Sequence, residues 1–237
     1  MAGSVMENIT DPPLPAPKQH TQSAPLLQPI TTNTKAGVPV TLYPITMGPS
    51  SIPEGIVAYL HEEFTAEILK GCTYPMEEPM ALDRFRDYWF GTFAVVVLKG
   101  TREETDPLLL LNGEGEEVDW KEVCLGTFYI KPNYPGMSCL PDEEDLKGGD
   151  DVFADLISCS AARGKGIGSV MGETYLVYAP KLGYKYSVFN LVFANNPASS
   201  RIWDRLGFQV LGRVPGAGRL ANSEELVDAL IYGRSLV

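Results

Sequence analysis

Arg163-Gly164-Lys165-Gly166-Ile167-Gly168 is the stretch that decides how this chain reads. A strand-like run, Val152-Phe153-Ala154-Asp155-Leu156-Ile157-Ser158, precedes it, and a helix-like run from Gly166 to about Ala179 follows. Strand, glycine-rich turn and helix N-terminus together form an anion site. Glycines let the backbone approach a ligand closely. The first N–H groups of a helix lack intrahelical partners, and the helix dipole favours negative charge there. The anion such a turn suits is a pyrophosphate. The plainer alternative is a turn that merely starts a helix.

Two common phosphate loops do not fit. The dinucleotide fingerprint needs G-x-G-x-x-G early in a βαβ unit. Gly164, Gly166 and Gly168 lack that spacing. A Walker A loop needs Lys directly after its last Gly, and here Ser169 follows Gly168. The pattern that remains is [RQ]-x-x-G-x-[GA], carried by Arg163, Gly166 and Gly168. About 30 residues on stands Asn196-Pro197-Ala198-Ser199-Ser200-Arg201-Ile202-Trp203-Asp204-Arg205-Leu206-Gly207-Phe208. Asn196 can cap a helix, Pro197 suits its first position, and Gly207 can stop it. Ala198, Ile202 and Leu206 predict one apolar stripe.

Together the two motifs resemble the GCN5-related N-acetyltransferases. Further segments resemble the family's fungal members that acetylate the proline analogue L-azetidine-2-carboxylate. These are Leu125 to Tyr134, Leu182 to Phe193, Asp228 to Gly233 and Tyr88-Trp89-Phe90. The resemblance runs from about Ile52 to Val237 and fails across Gly136 to Asp151. It implies an α/β fold with a mixed central sheet, in which two parallel strands splay apart and the acetyl thioester lies in the gap. It implies acetyl-CoA as co-substrate and a small-molecule amine or imino acid as acceptor. On this resemblance the backbone of Leu156, Ile157 and Ser158 holds the pantetheine arm. Arg163, Gly164, Lys165, Gly166, Ile167 and Gly168 hold the pyrophosphate. Asn190 and Leu191 face the acceptor, and Asn196 orients the reacting groups. Phe153 stands where those fungal enzymes carry an acceptor-side Asn, which is a departure in the acceptor site. Trp203 stands where many family members place a tyrosine general acid. No carboxylate or histidine is evident as the base. A homodimer is compatible with the resemblance. Two other functions stay open: transfer to a protein or peptide, and acyl-CoA binding without catalysis.

Composition narrows the field. The net charge is −11, which disfavours bulk affinity for nucleic acid or anionic membrane. No apolar run approaches the length that spans a bilayer. Cys72, Cys124, Cys139 and Cys159 have no metal-ligand spacing, so no metal site is expected. Unpatterned thiols read as reduced and intracellular. The cytoplasm is the expected compartment, with the nucleus and mitochondrion left open.

Residues 1–37 read as a disordered Pro-rich tail and 38–237 as the catalytic domain, with 131–151 a flexible acidic loop. Strands are expected at Val38 to Ile45, Thr92 to Leu98, Glu122 to Ile130, Ser187 to Phe193, Phe208 to Gly212 and Val227 to Tyr232. Leu108 to Leu111 reads as a short strand or an apolar loop edge. Helices are expected at Pro53 to Lys70 and Met80 to Phe90. His61, Glu62 and Glu63 read as a solvated face, Tyr88, Trp89 and Phe90 as core, and Asn190 as a buried amide.

Overall fold

A computed structural model describes residues 27–45, 52–110, 118–133 and 151–237. Among the described residues nine strands form one mixed sheet. They are β1 (Ile30–Asn33), β2 (Pro39–Ile45), β3 (Phe93–Lys99), β4 (Cys124–Pro132), β5 (Asp151–Phe153), β6 (Leu156–Ser158), β7 (Tyr186–Phe193), β8 (Gln209–Gly218) and β9 (Val227–Ser235). The helices are α1 (Glu54–Leu69), α2 (Leu82–Phe90), α3 (Arg102–Leu110), α4 (Trp120–Val123), α5 (Ile167–Lys181) and α6 (Pro197–Arg205). Strand order is β1-β2-β3-β4-β5-β7-β9-β8, with β6 paired to β4.

The feature that positions the site is a short parallel contact. β5 pairs with β7 only through Asp151↔Tyr186 and Val152↔Ser187, the one parallel pairing among the described strands. The expected single strand Val152 to Ser158 is in fact two, broken at Ala154-Asp155. Beyond the break β6 keeps its antiparallel ladder with β4 and has no partner on β7. The sheet therefore opens between β6 and β7, as a splayed pair requires.

Burial follows the apolar patterns. Val95, Val96 and Val97 of β3 are fully buried, as the continuous run predicts for a central strand. α1 buries Ile56, Leu60, Phe64 and Ile68, spaced by four. Phe64 packs against Tyr74, Phe85 and Trp89, which roots α1 and α2 on the sheet.

Several expectations are corrected. The tail boundary at residue 37 falls inside folded structure. Leu27 is buried, and β1 pairs with β2 through a turn in which Gly37 takes φ 77°. The β-branched run Ile30-Thr31-Thr32 carries that strand; residues 1–26 lie outside the described residues. Leu108 to Leu111 begins inside a helix rather than a strand. Glu104 accepts from the Thr101 N–H at 2.8 Å, which caps the start of α3. β4 begins at Cys124, not Glu122, because Asp119 caps the short α4 by accepting from Lys121 N–H at 3.1 Å. Of the expected acidic loop, Lys131 and Pro132 belong to β4 and Asp151 to β5, and 134–150 lie outside the described residues. The expected α6 stripe is offset. Trp203 is the residue that α6 buries, Ile202 and Leu206 are half-buried, and Ala198 is exposed.

Candidate functional site

β6 leads through a short 3-10 turn, Ser160–Ala162, into the glycine-rich loop and α5. Gly166 is the N-cap of α5 in the left-handed region, φ 84°. A Cβ there would meet nothing closer than 3.9 Å. Its backbone angle, not crowding, is what asks for glycine. Gly164 also has positive φ, 75°, and opens onto free space. No acceptor among the described residues takes the N–H of Gly164, Gly166, Ile167 or Gly168. Four such donors around one turn suit a pyrophosphate.

Arg163 is engaged elsewhere. Its guanidinium pairs with Glu67 of α1, which also accepts from Lys70 at 3.0 Å and Thr73 at 2.9 Å. Burial raises the Glu67 carboxyl, but these partners outweigh it and hold it below its usual value. Glu63, one turn earlier, accepts from Ser160 N–H at 2.6 Å and Ser160 Oγ–H at 2.8 Å. The acidic face of α1, expected to be solvated, thus clamps the loop. Lys165 is exposed.

The β4–β6 register fixes which way β6 turns its peptides. Tyr129 N–H donates to Asp155 O at 3.2 Å, and Cys159 N–H to Leu125 O at 3.0 Å. By alternation Asp155, Ile157 and Cys159 face β4. Leu156 and Ser158 turn their N–H and C=O groups into the gap. Tyr74 reaches the same edge, donating its hydroxyl to Leu156 O at 3.3 Å.

The second strand–helix step packs beside the first. A Cβ on Gly168 would lie 2.9 Å from Ile202 Cδ1, and one on Gly172 would lie 2.6 Å from Leu206 Cδ1. α5 therefore sits flush on α6, and Arg205 donates to Ser169 Oγ at 2.9 Å. Asn196 caps α6, its Oδ1 accepting from Ser199 N–H at 3.2 Å. Trp203 belongs to the core. It stacks on Phe189 with centroids 4.1 Å apart and donates its indole N–H to Ser199 Oγ at 3.0 Å.

Asn190 is exposed, not buried. It lies with Leu191 where the β7–β9 register slips between Phe189 and Val192, so neither pairs with β9. Its Nδ2 donates to Asn133 Oδ1 at 2.6 Å, across the end of β4. Leu191 is 42% exposed and lines a cavity of about 790 Å3. The end of α1, residues 74–77 and the β8–β9 loop complete its walls. A smaller cleft of about 480 Å3 lies by Val38, Lys99 and Glu122, on another part of the sheet. Phe153 falls in β5; its side chain lies outside the described residues.

The sequence reading missed a titratable cluster at the strand break. Asp155 Oδ2 accepts from Tyr129 Oη–H at 2.7 Å, and the Tyr129 and Tyr88 hydroxyls are 3.1 Å apart. Lys131 Nζ sits 3.8 Å above the Tyr88 ring and 4.0 Å above the Tyr129 ring, and donates to Tyr88 O. Burial pushes the Lys131 ammonium down to about 8, against the opposing pull of Asp155. Burial raises the Asp155 carboxyl, while Tyr129 and Lys131 draw it partly back. Asp155 adjoins Leu156, whose peptide faces the gap. An acid inside Phe153-Ala154-Asp155-Leu156, where apolar strand residues are expected, was the available signal.

Comparison with known proteins fits this geometry. The chain is 41% identical over 166 residues to the N-acetyltransferase aca1 of Schizosaccharomyces pombe, covering 70% of this chain and 73% of that protein. Its fold is similar to a GCN5-related N-acetyltransferase from Kribbella flavida, with a TM-score of 0.61 at 21% identity, covering 82% of this chain and 97% of that one. It is also similar to a phosphinothricin acetyltransferase from Sinorhizobium meliloti crystallised with acetyl-CoA, with a TM-score of 0.56 at 15% identity, covering 83% and 88%. No protein-family model matches the chain. Among the described residues, no helix is long and apolar enough to cross a membrane.

Proposed function

The chain belongs to the GCN5-related N-acetyltransferase superfamily, and we propose that it transfers the acetyl group of acetyl-CoA to the nitrogen of a small amine or imino acid. The observation that carries this reading is the peptide edge of Leu156 and Ser158, which no strand pairs and which opens to a gap leading into the unpaired N–H groups of Gly164, Gly166, Ile167 and Gly168. Such an edge suits the amide-bearing pantetheine arm, and such a loop suits the pyrophosphate. Lys165, exposed at the turn, adds charge there, while the Arg163 charge is paired with Glu67. The acceptor enters from the cavity walled by Tyr74, Leu191 and the β8–β9 loop.

Direct transfer asks three things of the protein. The neutral amine must sit against the thioester carbonyl, which positioning in the gap supplies. The tetrahedral oxyanion needs N–H donors, and the inward-facing N–H groups of Leu156 and Ser158 are suited to that task. The amine nitrogen must then lose a proton. Asp155 is the carboxylate beside the gap, and burial raises its pKa above that of an ordinary aspartate, the direction that strengthens a base. Tyr129 holds it in place. Trp203, buried against Phe189, takes no part in proton transfer. The attacking lone pair forms the C–N bond, the C–S bond breaks, and CoA leaves as the thiolate.

The acceptor class is tested by following acetyl transfer to free amino and imino acids, L-azetidine-2-carboxylate included, beside short peptides. Turnover confined to free small acceptors supports the proposal. Turnover confined to peptides would replace it with a protein or peptide acetyltransferase, and acetyl-CoA binding without transfer would replace it with a binding module.

A further inference from the structure

The acceptor cavity has apolar side chains, Ile68, Leu191 and Phe193 among them, on walls that also carry polar groups. Its lining also includes one arginine, Arg219, and two carboxylates, Glu77 and Glu224. Arg219 is exposed and forms no ion pair or hydrogen bond among the described residues, although both carboxylates line the same cavity.

The backbone that carries Arg219 is fixed on both sides. At Gly218 a Cβ would lie 2.5 Å from Phe193 Cε1, so the chain lies flat on that ring. Leu220 is buried and clusters with Phe193 and Val227. Ala221 N–H donates to Gly71 O at 2.9 Å, which ties the loop to the end of α1. Asn195 Nδ2 donates to Asn222 Oδ1 at 3.1 Å. The guanidinium thus starts from a rigid stem in the wall of the cavity. Guanidinium presents a planar fork of donors that matches a carboxylate.

Resting on the acetyl-transfer reading above, we infer that the acceptor is an apolar amino or imino acid with a free carboxylate, and that Arg219 holds that carboxylate. Ile68, Leu191 and Phe193 take the side chain or ring, and the nitrogen is left to face the gap at Leu156. Glu77 and Glu224 face the same space. They disfavour a second acidic group on the acceptor and attract its ammonium form before the proton is lost.

The test uses the full chain and matched acceptors: L-azetidine-2-carboxylate with azetidine, L-proline with pyrrolidine, and L-leucine with 3-methylbutylamine. Wild type, R219A and R219K are compared by release of CoA thiol, with thermal melts beside them. The expected result is higher kcat/KM for each acid that is turned over than for its decarboxylated partner. In R219A, KM for the acids rises by about tenfold to a hundredfold, while the amines change by less than about twofold and the advantage of the acid disappears. R219K recovers part of that advantage. Equal loss on acids and amines, no loss in R219A, or a wild type that prefers the amines would overturn the assignment while leaving acetyl transfer intact. Transfer to none of these acceptors or to any other amine would overturn the functional reading itself, and this inference with it.

Discussion

Asn196 has a visible structural task and a proposed chemical one, and two substitutions separate them. Its Oδ1 accepts the Ser199 N–H at 3.2 Å and caps the nine-residue α6. Asn196→Ala removes that acceptor, which costs about 1 kcal/mol at an N-cap. For a domain of this size the melting temperature falls by about 2–4 °C. Asn196→Asp keeps an oxygen at the cap and places negative charge at a helix N-terminus, where it is favourable. That variant melts like the wild type. Neither variant keeps the amide N–H2, which the cap does not use. If that group orients the reacting atoms, kcat falls in both variants by about tenfold or more, and acetyl-CoA affinity stays within about twofold. The assay is steady-state thiol release beside a melt and an acetyl-CoA titration. Wild-type kcat in Asn196→Asp would reduce Asn196 to a cap. An unchanged melt in Asn196→Ala would refute the capping argument.

Three further predictions follow from named contacts. Gly172→Ala places a methyl 2.6 Å from Leu206 Cδ1 and costs about 1–3 kcal/mol; adding Leu206→Ala recovers part of that loss in a double-mutant cycle, and strict additivity would show that the α5–α6 contact is not the cause. Asp155 has a folded-state pKa above its unfolded one, so its ionisation lowers stability as pH rises from the unfolded value through the folded one. Asp155→Asn therefore melts higher at neutral pH while kcat falls and the acidic limb of the pH–rate profile flattens; an unchanged profile would remove Asp155 as the base. Glu67 shows the opposite sign, with its pKa held down, so it contributes stability above its unfolded value that is lost as pH falls through the folded one. In Glu67→Gln the acid-side loss of melting temperature is smaller than in the wild type, and identical acid curves would contradict the clamp on Arg163.

Much of the fold was legible because its signals are local. Spacing by four in Ile56, Leu60, Phe64 and Ile68 gives a helix, and the continuous run at Val95 to Val97 gives a buried strand, whatever surrounds them. The cap at Asn196 and the glycine-rich turn that starts α5 are read from local residue types. What was not legible depends on distant partners. Asp155 is a polar intrusion within Val152 to Ser158, but it does not by itself say that the strand breaks there, because the break is set by competing ladders on β4 and β7. Asn190 reads as a buried amide from its apolar neighbours, yet a register slip against β9 leaves it exposed. The clamp of Glu63 and Glu67 on the loop joins residues about a hundred positions apart. The motif puts Trp203 at the position of a tyrosine general acid but gives no orientation; packing on Phe189 makes it a core residue.

The central claim is that the glycine-rich loop and the gap beside β6 carry acetyl transfer. The most direct test follows CoA thiol release from acetyl-CoA with and without amine acceptors, in the wild type and in Gly166→Glu. Acceptor-dependent release is expected in the wild type, and none in a folded Gly166→Glu, whose carboxylate meets the cofactor's own negative charge. Undiminished release in that variant, or a wild type that binds acetyl-CoA and transfers to no amine, would contradict it.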